Sequence, residues 1–166
     1  RASLPIFIPS TTTCVYYGRR RGVESVVSNG VVTSQHAEVK WTAFSEDGSR
    51  SAYACKVGEA WRVTCDGQLS APYEDIERLT FSGGRHLFFL GKREGIWYVR
   101  VGERDCGGWS IIKDVACSAD AANYAVVVVS GGKDALVVNG RVGVIADTIA
   151  SVAMSNDGKR IAYSAR

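Results

Sequence analysis

Apolar residues fall along this chain in short runs separated by polar turn clusters, and the pattern returns about every 37 residues. Four segments show it most clearly: Phe44-Ser45-Glu46-Asp47-Gly48, Phe81-Ser82-Gly83-Gly84, Cys117-Ser118-Ala119-Asp120 and Met154-Ser155-Asn156-Asp157-Gly158. Phe7-Ile8-Pro9-Ser10 keeps the same phase. The leading residues stand at 7, 44, 81, 117 and 154, so the spacings are 37, 37, 36 and 37. Other positions repeat in step. Tyr16, Tyr53, Val126 and Tyr163 follow the leader by nine residues, and Phe89 by eight. Gly30, Gly67 and Gly140 follow by twenty-three, each after Asn or Asp. Val39, Ile76, Ile112 and Ile149 precede it by five. A period of this kind marks a repeat architecture.

Each unit predicts four short strands. The first ends at the leader, as in Glu38 to Phe44 or Thr148 to Met154. A Ser/Asp/Gly turn follows, because Asp and Asn tolerate turn dihedrals and Gly accepts a positive φ. The second strand carries the aromatic or valine position. The third covers Glu24 to Ser28, Ala60 to Cys65, Ile96 to Val101 and Ala135 to Val138. Asn-Gly or Asp-Gly then supplies a type I′ hairpin, and a less regular fourth strand returns to the next leader. No window shows the i, i+3, i+4 spacing that a helical solenoid needs. The expected fold is all-β: a β-propeller of four-stranded antiparallel blades, about four repeats plus the first half of a fifth. One domain spans 1–166, with repeats at about 1–37, 38–74, 75–110, 111–147 and a partial 148–166.

Met154-Ser155-Asn156-Asp157-Gly158-Lys159-Arg160-Ile161-Ala162-Tyr163 resembles the TolB-type (WD40-like) β-propeller repeat, whose pattern runs F-S-P-D-G-K-x-I-A-Y. Only the leading Phe and the Pro are missing. Val137-Val138-Asn139-Gly140-Arg141-Val142-Gly143 is similar to a further element of bacterial members. The Gly-His and Trp-Asp dipeptides of eukaryotic WD repeats do not occur. The resemblance implies the propeller fold and covers nearly the whole chain. It implies no single function, since such propellers include assembly factors and peptidase gating domains.

Composition narrows the class. An apolar share of 46% excludes disorder, and 21 valines against six leucines lean the chain toward strand. The longest apolar run, Ala121 to Val129, is too short to span a bilayer as a helix. A net charge of +3 carries no specific nucleic-acid signal. Five cysteines without a C-x-x-C pair oppose both a disulfide framework and a zinc knuckle, so most are expected to be small buried hydrophobes. The chain opens at Arg1 with no initiator methionine and no signal-type apolar core, which leaves room for preceding residues and assigns no compartment.

Candidate chemistry is sparse. No G-x-S-x-G elbow, H-E-x-x-H or phosphate-binding glycine loop occurs, and no catalytic residue, cofactor or metal is expected. The Ser-x-Asp-Gly pieces lack the downstream Trp of sialidase Asp boxes and are expected to be turns. Trp61 and Trp97 occupy corresponding third strands, which points to packing between blades. Trp41 lies on an innermost strand and is the better ligand candidate. His36 and Tyr73 occupy matching connections at the same end, with Glu74-Asp75. Loops between second and third strands carry Arg19-Arg20-Arg21, Lys56, Lys92-Arg93 and Lys133. They predict a basic rim, opposite an acidic one at Glu46-Asp47, Asp120 and Asp157, able to steer a polyanion.

The expected role is a non-catalytic scaffold binding a protein partner or a second copy. The alternatives are the gating domain of a prolyl-oligopeptidase-like hydrolase and a glycan- or polyanion-binding propeller. The ring would be completed by more of the same chain, by a partner, or by closure of four blades with a redundant tail.

Overall fold

A computed structural model of the chain describes residues 5–8 and 11–166. All described regular structure is β-strand. Blade 1 comprises β1 (Ile6–Phe7), β2 (Cys14–Arg20), β3 (Val23–Ser28) and β4 (Val31–His36). Blade 2 comprises β5 (Val39–Phe44), β6 (Ser51–Val57), β7 (Ala60–Cys65) and β8 (Gln68–Leu69). Blade 3 holds β9 (Asp75–Ser82), β10 (His86–Arg93), β11 (Ile96–Val101) and β12 (Arg104–Trp109). Blade 4 holds β13 (Ile112–Cys117), β14 (Tyr124–Ser130), β15 (Lys133–Val138) and β16 (Arg141–Ala146). A last pair, β17 (Ile149–Met154) and β18 (Ile161–Ala165), forms a two-stranded half-blade. Every sheet is antiparallel and pairs its strands in chain order. Pro9 and Ser10, the turn expected after Phe7, lie outside the described residues.

The turns form as their residues dictate. Asn29-Gly30, Asp66-Gly67 and Asn139-Gly140 have both φ angles positive, as type I′ requires. In the Ser-x-Asp turn, Ser45 Oγ donates to Asp47 Oδ1 at 2.7 Å and accepts from the Arg50 amide at 2.8 Å. Ser118 with Asp120 and Ser155 with Asp157 repeat that geometry. These pieces are turns.

Four apolar cores hold the array together, and each lies between two successive sheets. Val15, Val26, Val39 and Cys55 join blades 1 and 2. Ala52, Ala54, Ile76 and Phe89 join blades 2 and 3. Leu90, Val99, Val126 and Val137 join blades 3 and 4, and Ala125, Val127, Ile149 and Val152 join blade 4 to the half-blade. Facing sides alternate along each second strand: Phe88 and Leu90 point forward to blade 4, whereas Phe89 points back to blade 2. Each fully buried large side chain contributes about 1.5–3 kcal/mol. None of the four cores joins blade 1 to the half-blade. The cysteines depart from expectation: all five are free thiols, but only Cys55 is fully buried.

Candidate functional site

The first strands of blades 2 to 4 and of the half-blade each carry an irregularity that the sequence does not announce. Register shifts interrupt the pairing near the start of β5, β9, β13 and β17. Trp41 and Arg78 sit at two of these bulges with φ of 52° and 54°. A bulge adds one residue to its strand and re-aims the side chain there. The re-aimed side chains bind the next blade. Trp41 Nε1 donates to the Ile76 carbonyl at 3.1 Å. Arg78 Nη1 donates to Asp114 Oδ1 at 2.8 Å, and Asp114 Oδ2 accepts from the Val152 amide at 2.9 Å. Asp114 thereby ties together three consecutive first strands.

A second set of contacts holds the end where third strands begin. Glu24 and Asp134 are the second residues of equivalent third strands, and each accepts an amide of the next first strand, from Val39 and Ile149. Trp61 and Trp97 hold the same position in the middle blades. Lys40 and Lys113, also equivalent, face this position. Lys113 pairs with Asp134, while Lys40 lies 4.0 Å from the Trp61 ring centre and pairs with Asp75. One lysine position thus meets a carboxylate in blade 4 and an aromatic face in blade 2. The bond from Lys113, then the Ile149 amide, holds the Asp134 carboxyl below its ordinary range.

The residues expected to bind ligand lie at this same end but do not converge. Tyr73 is core: 3% exposed, edge-on to Phe89 at 5.5 Å and bonded to Trp61 through both main-chain groups. Gly91 makes room for it, since a Cβ there would lie 2.4 Å from the ring. Arg93 lies over Tyr73 at 4.9 Å and Tyr98 at 5.5 Å, and its charge is met by Asp105. Lys92 stands 5.8 Å from the Trp97 ring centre. His36 Nε2 lies 3.2 Å from the Tyr53 hydroxyl, which donates to Ser34 at 2.9 Å. Burial lowers the His36 pKa. Trp41 remains substantially open, at 46% exposure, and Arg19, Arg20 and Arg21 are exposed as well.

The basic loops are tighter than expected. Arg19 and Arg20 belong to β2, opposite Glu24 and Val23, and only Arg21 occupies the two-residue turn. Lys56, Lys92 and Arg93 are likewise on strands, and Lys133 pairs with Asp147. Charge at this rim is mixed: Glu59, Glu74 and Glu94 share a shallow pocket with Arg93. A cleft of about 630 Å³ lies at the other end between blades 2 and 3. It opens where β8 stops after two residues, with Arg50, Arg85 and Arg100 above Val63, Leu87 and Phe89. Among the described residues no group of three His, Cys, Asp or Glu side chains is placed to hold a metal.

Successive four-stranded antiparallel blades, joined through their first strands, define a β-propeller. Solved structures bear this out. The chain is similar to TolB from Acinetobacter baumannii, with a TM-score of 0.52 and 16% identity over 100% of this chain and 49% of that one. It is also similar to the β-propeller domain of the Trilobed protease from Pyrococcus furiosus, described as having an open velcro topology. There the TM-score is 0.53 and the identity 12%, over 82% of this chain and 52% of that one. The chain therefore spans about half the length of these structures. No model of a protein family and no curated protein sequence matches it. At such identities the likeness is one of fold.

Sequence reasoning missed Lys40, Arg78, Asp114 and Lys113, and it placed Asp75 at this end without its partner. A signal was present for the lysines, which follow Val39 and Ile112 at one repeat position. Arg78 and Asp114 carried none, because they depend on a bulge that no glycine marks.

Proposed function

We propose that this chain is a non-catalytic β-propeller scaffold that binds a protein partner at the end carrying Trp41. One observation carries the reading. Lys40 to Asp75 and Arg78 to Asp114 join neighbouring blades and Lys113 to Asp134 closes within blade 4, while Trp41 beside them keeps 46% of its surface open. Exposed aromatics anchor protein interfaces. The test places a photo-crosslinking residue at position 41 and, as control, at Ser49 in an opposite-end turn. A discrete protein adduct at 41 alone, competed away by excess unlabelled chain, supports the reading. Equal labelling at both positions refutes it. Retention on heparin or a glycan array that Trp41→Ala abolishes moves the assignment to a glycan or polyanion ligand.

A second reading, the propeller portion of a hydrolase, draws on the similarity to a protease's propeller domain. A longer reading frame encoding an α/β region with Gly-x-Ser-x-Gly decides for it.

A further inference from the structure

Blade 2 departs from its neighbours in one element. The fourth strands β4, β12 and β16 have 6 residues each, whereas β8 has 2. After Leu69 the chain leaves the ladder. Ser70 still donates its amide to the Val63 carbonyl at 2.8 Å and accepts the Val63 amide on Oγ at 2.9 Å, but Pro72 has no amide to give. Pairing resumes at Tyr73, which faces Trp61. The shortened strand opens the cleft of about 630 Å³ toward blade 3, a volume within the range of about 300–1,000 Å³ typical of small-molecule sites. Both walls belong to internal blades, packed against blade 1 on one side and blade 4 on the other.

Two of the three arginines in the cleft are already fixed by protein groups. Arg50 uses all three guanidinium nitrogens, on Asp66 at 2.8 Å, the Arg85 carbonyl at 2.7 Å and Cys65 Sγ at 3.2 Å. Arg100 donates to the Gly102 carbonyl at 2.9 Å and to Asp105, which also serves Arg93. Arg85 is exposed, and its guanidinium has no partner among the described residues. The carboxylates of the cleft are Asp66, taken by Arg50, and Glu103. The balance is therefore positive, beside exposed Leu69 and Ala71 and half-buried Leu87.

We propose that this cleft binds a small organic acid, its carboxylate paired with Arg85 and its apolar body laid against Leu69, Ala71 and Leu87. A guanidinium meets a carboxylate through two parallel N–H bonds, a geometry that an ammonium cannot copy. Arg50 and Arg100 hold the positive wall in place, and Arg85 supplies the free fork. The cleft lies at the opposite end from Trp41, so this site stands or falls independently of the partner site proposed above.

Two-dimensional NMR of the full chain tests it with phenylbutyrate and its neutral counterpart phenylbutanamide. The acid should shift the amides of Gln68 to Ala71 and Arg85 to Leu87 saturably, and the neutral compound should bind about tenfold more weakly. Arg85→Gln should weaken the acid about tenfold. Glu103→Gln should tighten it about twofold by removing a like charge, and Lys159→Gln on the half-blade should leave it unchanged. All three positions are exposed, circular dichroism checks each fold, and the comparison of acid with amide stands on the wild-type chain alone. Equal binding of acid and amide overturns the proposal. So does an Arg85→Gln variant that binds like wild type, or a set of shifts that gathers elsewhere. A Gly-Ser-Gly-Phe peptide that binds more tightly than phenylbutyrate, and loses this when its C-terminal carboxylate is amidated, assigns the cleft to a chain terminus and overturns the small acid.

Discussion

Gly91→Ala tests how blade 3 receives the side chain of Tyr73. Gly91 lies on β10 between Ile76 and Tyr98, and an added Cβ would fall 2.4 and 2.6 Å from two carbons of the Tyr73 ring. Ordinary carbon contacts lie near about 3.5–4.0 Å, so the ring must retreat by about 1 Å. It has little freedom to do so, because Phe89 meets it edge-on at 5.5 Å and both main-chain groups of Tyr73 are bonded to Trp61. Overpacking of this kind costs about 1–3 kcal/mol. Tyr73→Ala alone should cost about 3–5 kcal/mol, as for other large buried aromatics. In that background Gly91→Ala should become neutral or slightly stabilising, because the opposing ring is gone and glycine weakens a strand interior. The double-mutant cycle, measured by urea unfolding followed through tryptophan fluorescence, should therefore return a coupling of about 1–3 kcal/mol. Equal costs for Gly91→Ala in both backgrounds would refute the reasoning and place the ring elsewhere.

Other perturbations probe separate parts of the array. Gly83→Ala, with φ of 53° and a Cβ 2.3 Å from the Ala119 carbonyl oxygen, should destabilise the protein by more than about 2 kcal/mol; a wild-type melting temperature would contradict the close approach of these turns. Arg78→Val should cost about 1–2 kcal/mol more than Arg78→Gly, since both lose the Asp114 pair but only valine suffers at φ 54°; equal costs in urea titration would count against the bulge. The Ser45 hydroxyl, then the Ser49 amide and hydroxyl, lower the Asp47 pKa to about 2 from 3.8. Its contribution is therefore present above the ordinary value and lost as pH falls toward 2, so Asp47→Asn should flatten stability across that window; an unchanged acid profile would sink the assignment. Burial depresses the His36 pKa, so the neutral ring stabilises the fold above 6.5 and that contribution disappears as pH falls through the folded value. An imidazole NMR titration with its midpoint at or above 6.5 would contradict this.

The blades were legible because every unit repeats the same short-range chemistry. Asn29-Gly30, Asp66-Gly67 and Asn139-Gly140 each specify a hairpin, and leaders about 37 residues apart mark where first strands end. The packing of Trp61 also follows from its third-strand position. What escaped was non-local. Tyr73 looked available for a ligand because its seat is prepared by Gly91, eighteen residues away on another strand. The basic rim looked stronger than it is because Asp105 and Asp147, which pair with Arg93 and Lys133, come from another strand and a connection. The bulges at Trp41 and Arg78 escaped for a different reason. Neither residue favours a positive φ, so the preference is imposed by neighbouring blades and not by local sequence.

The four cores each touch only two sheets, which makes the molecule a chain of nearest-neighbour couplings. Damage to one core weakens one junction and leaves the others intact, so amide exchange should be slowest in blades 2 to 4 and fastest in β1 and β18. The same arrangement makes length an independent variable. A segment of about 37 residues can be duplicated or lost with only two faces to match, so blade number can change through copying without redesign of what lies between.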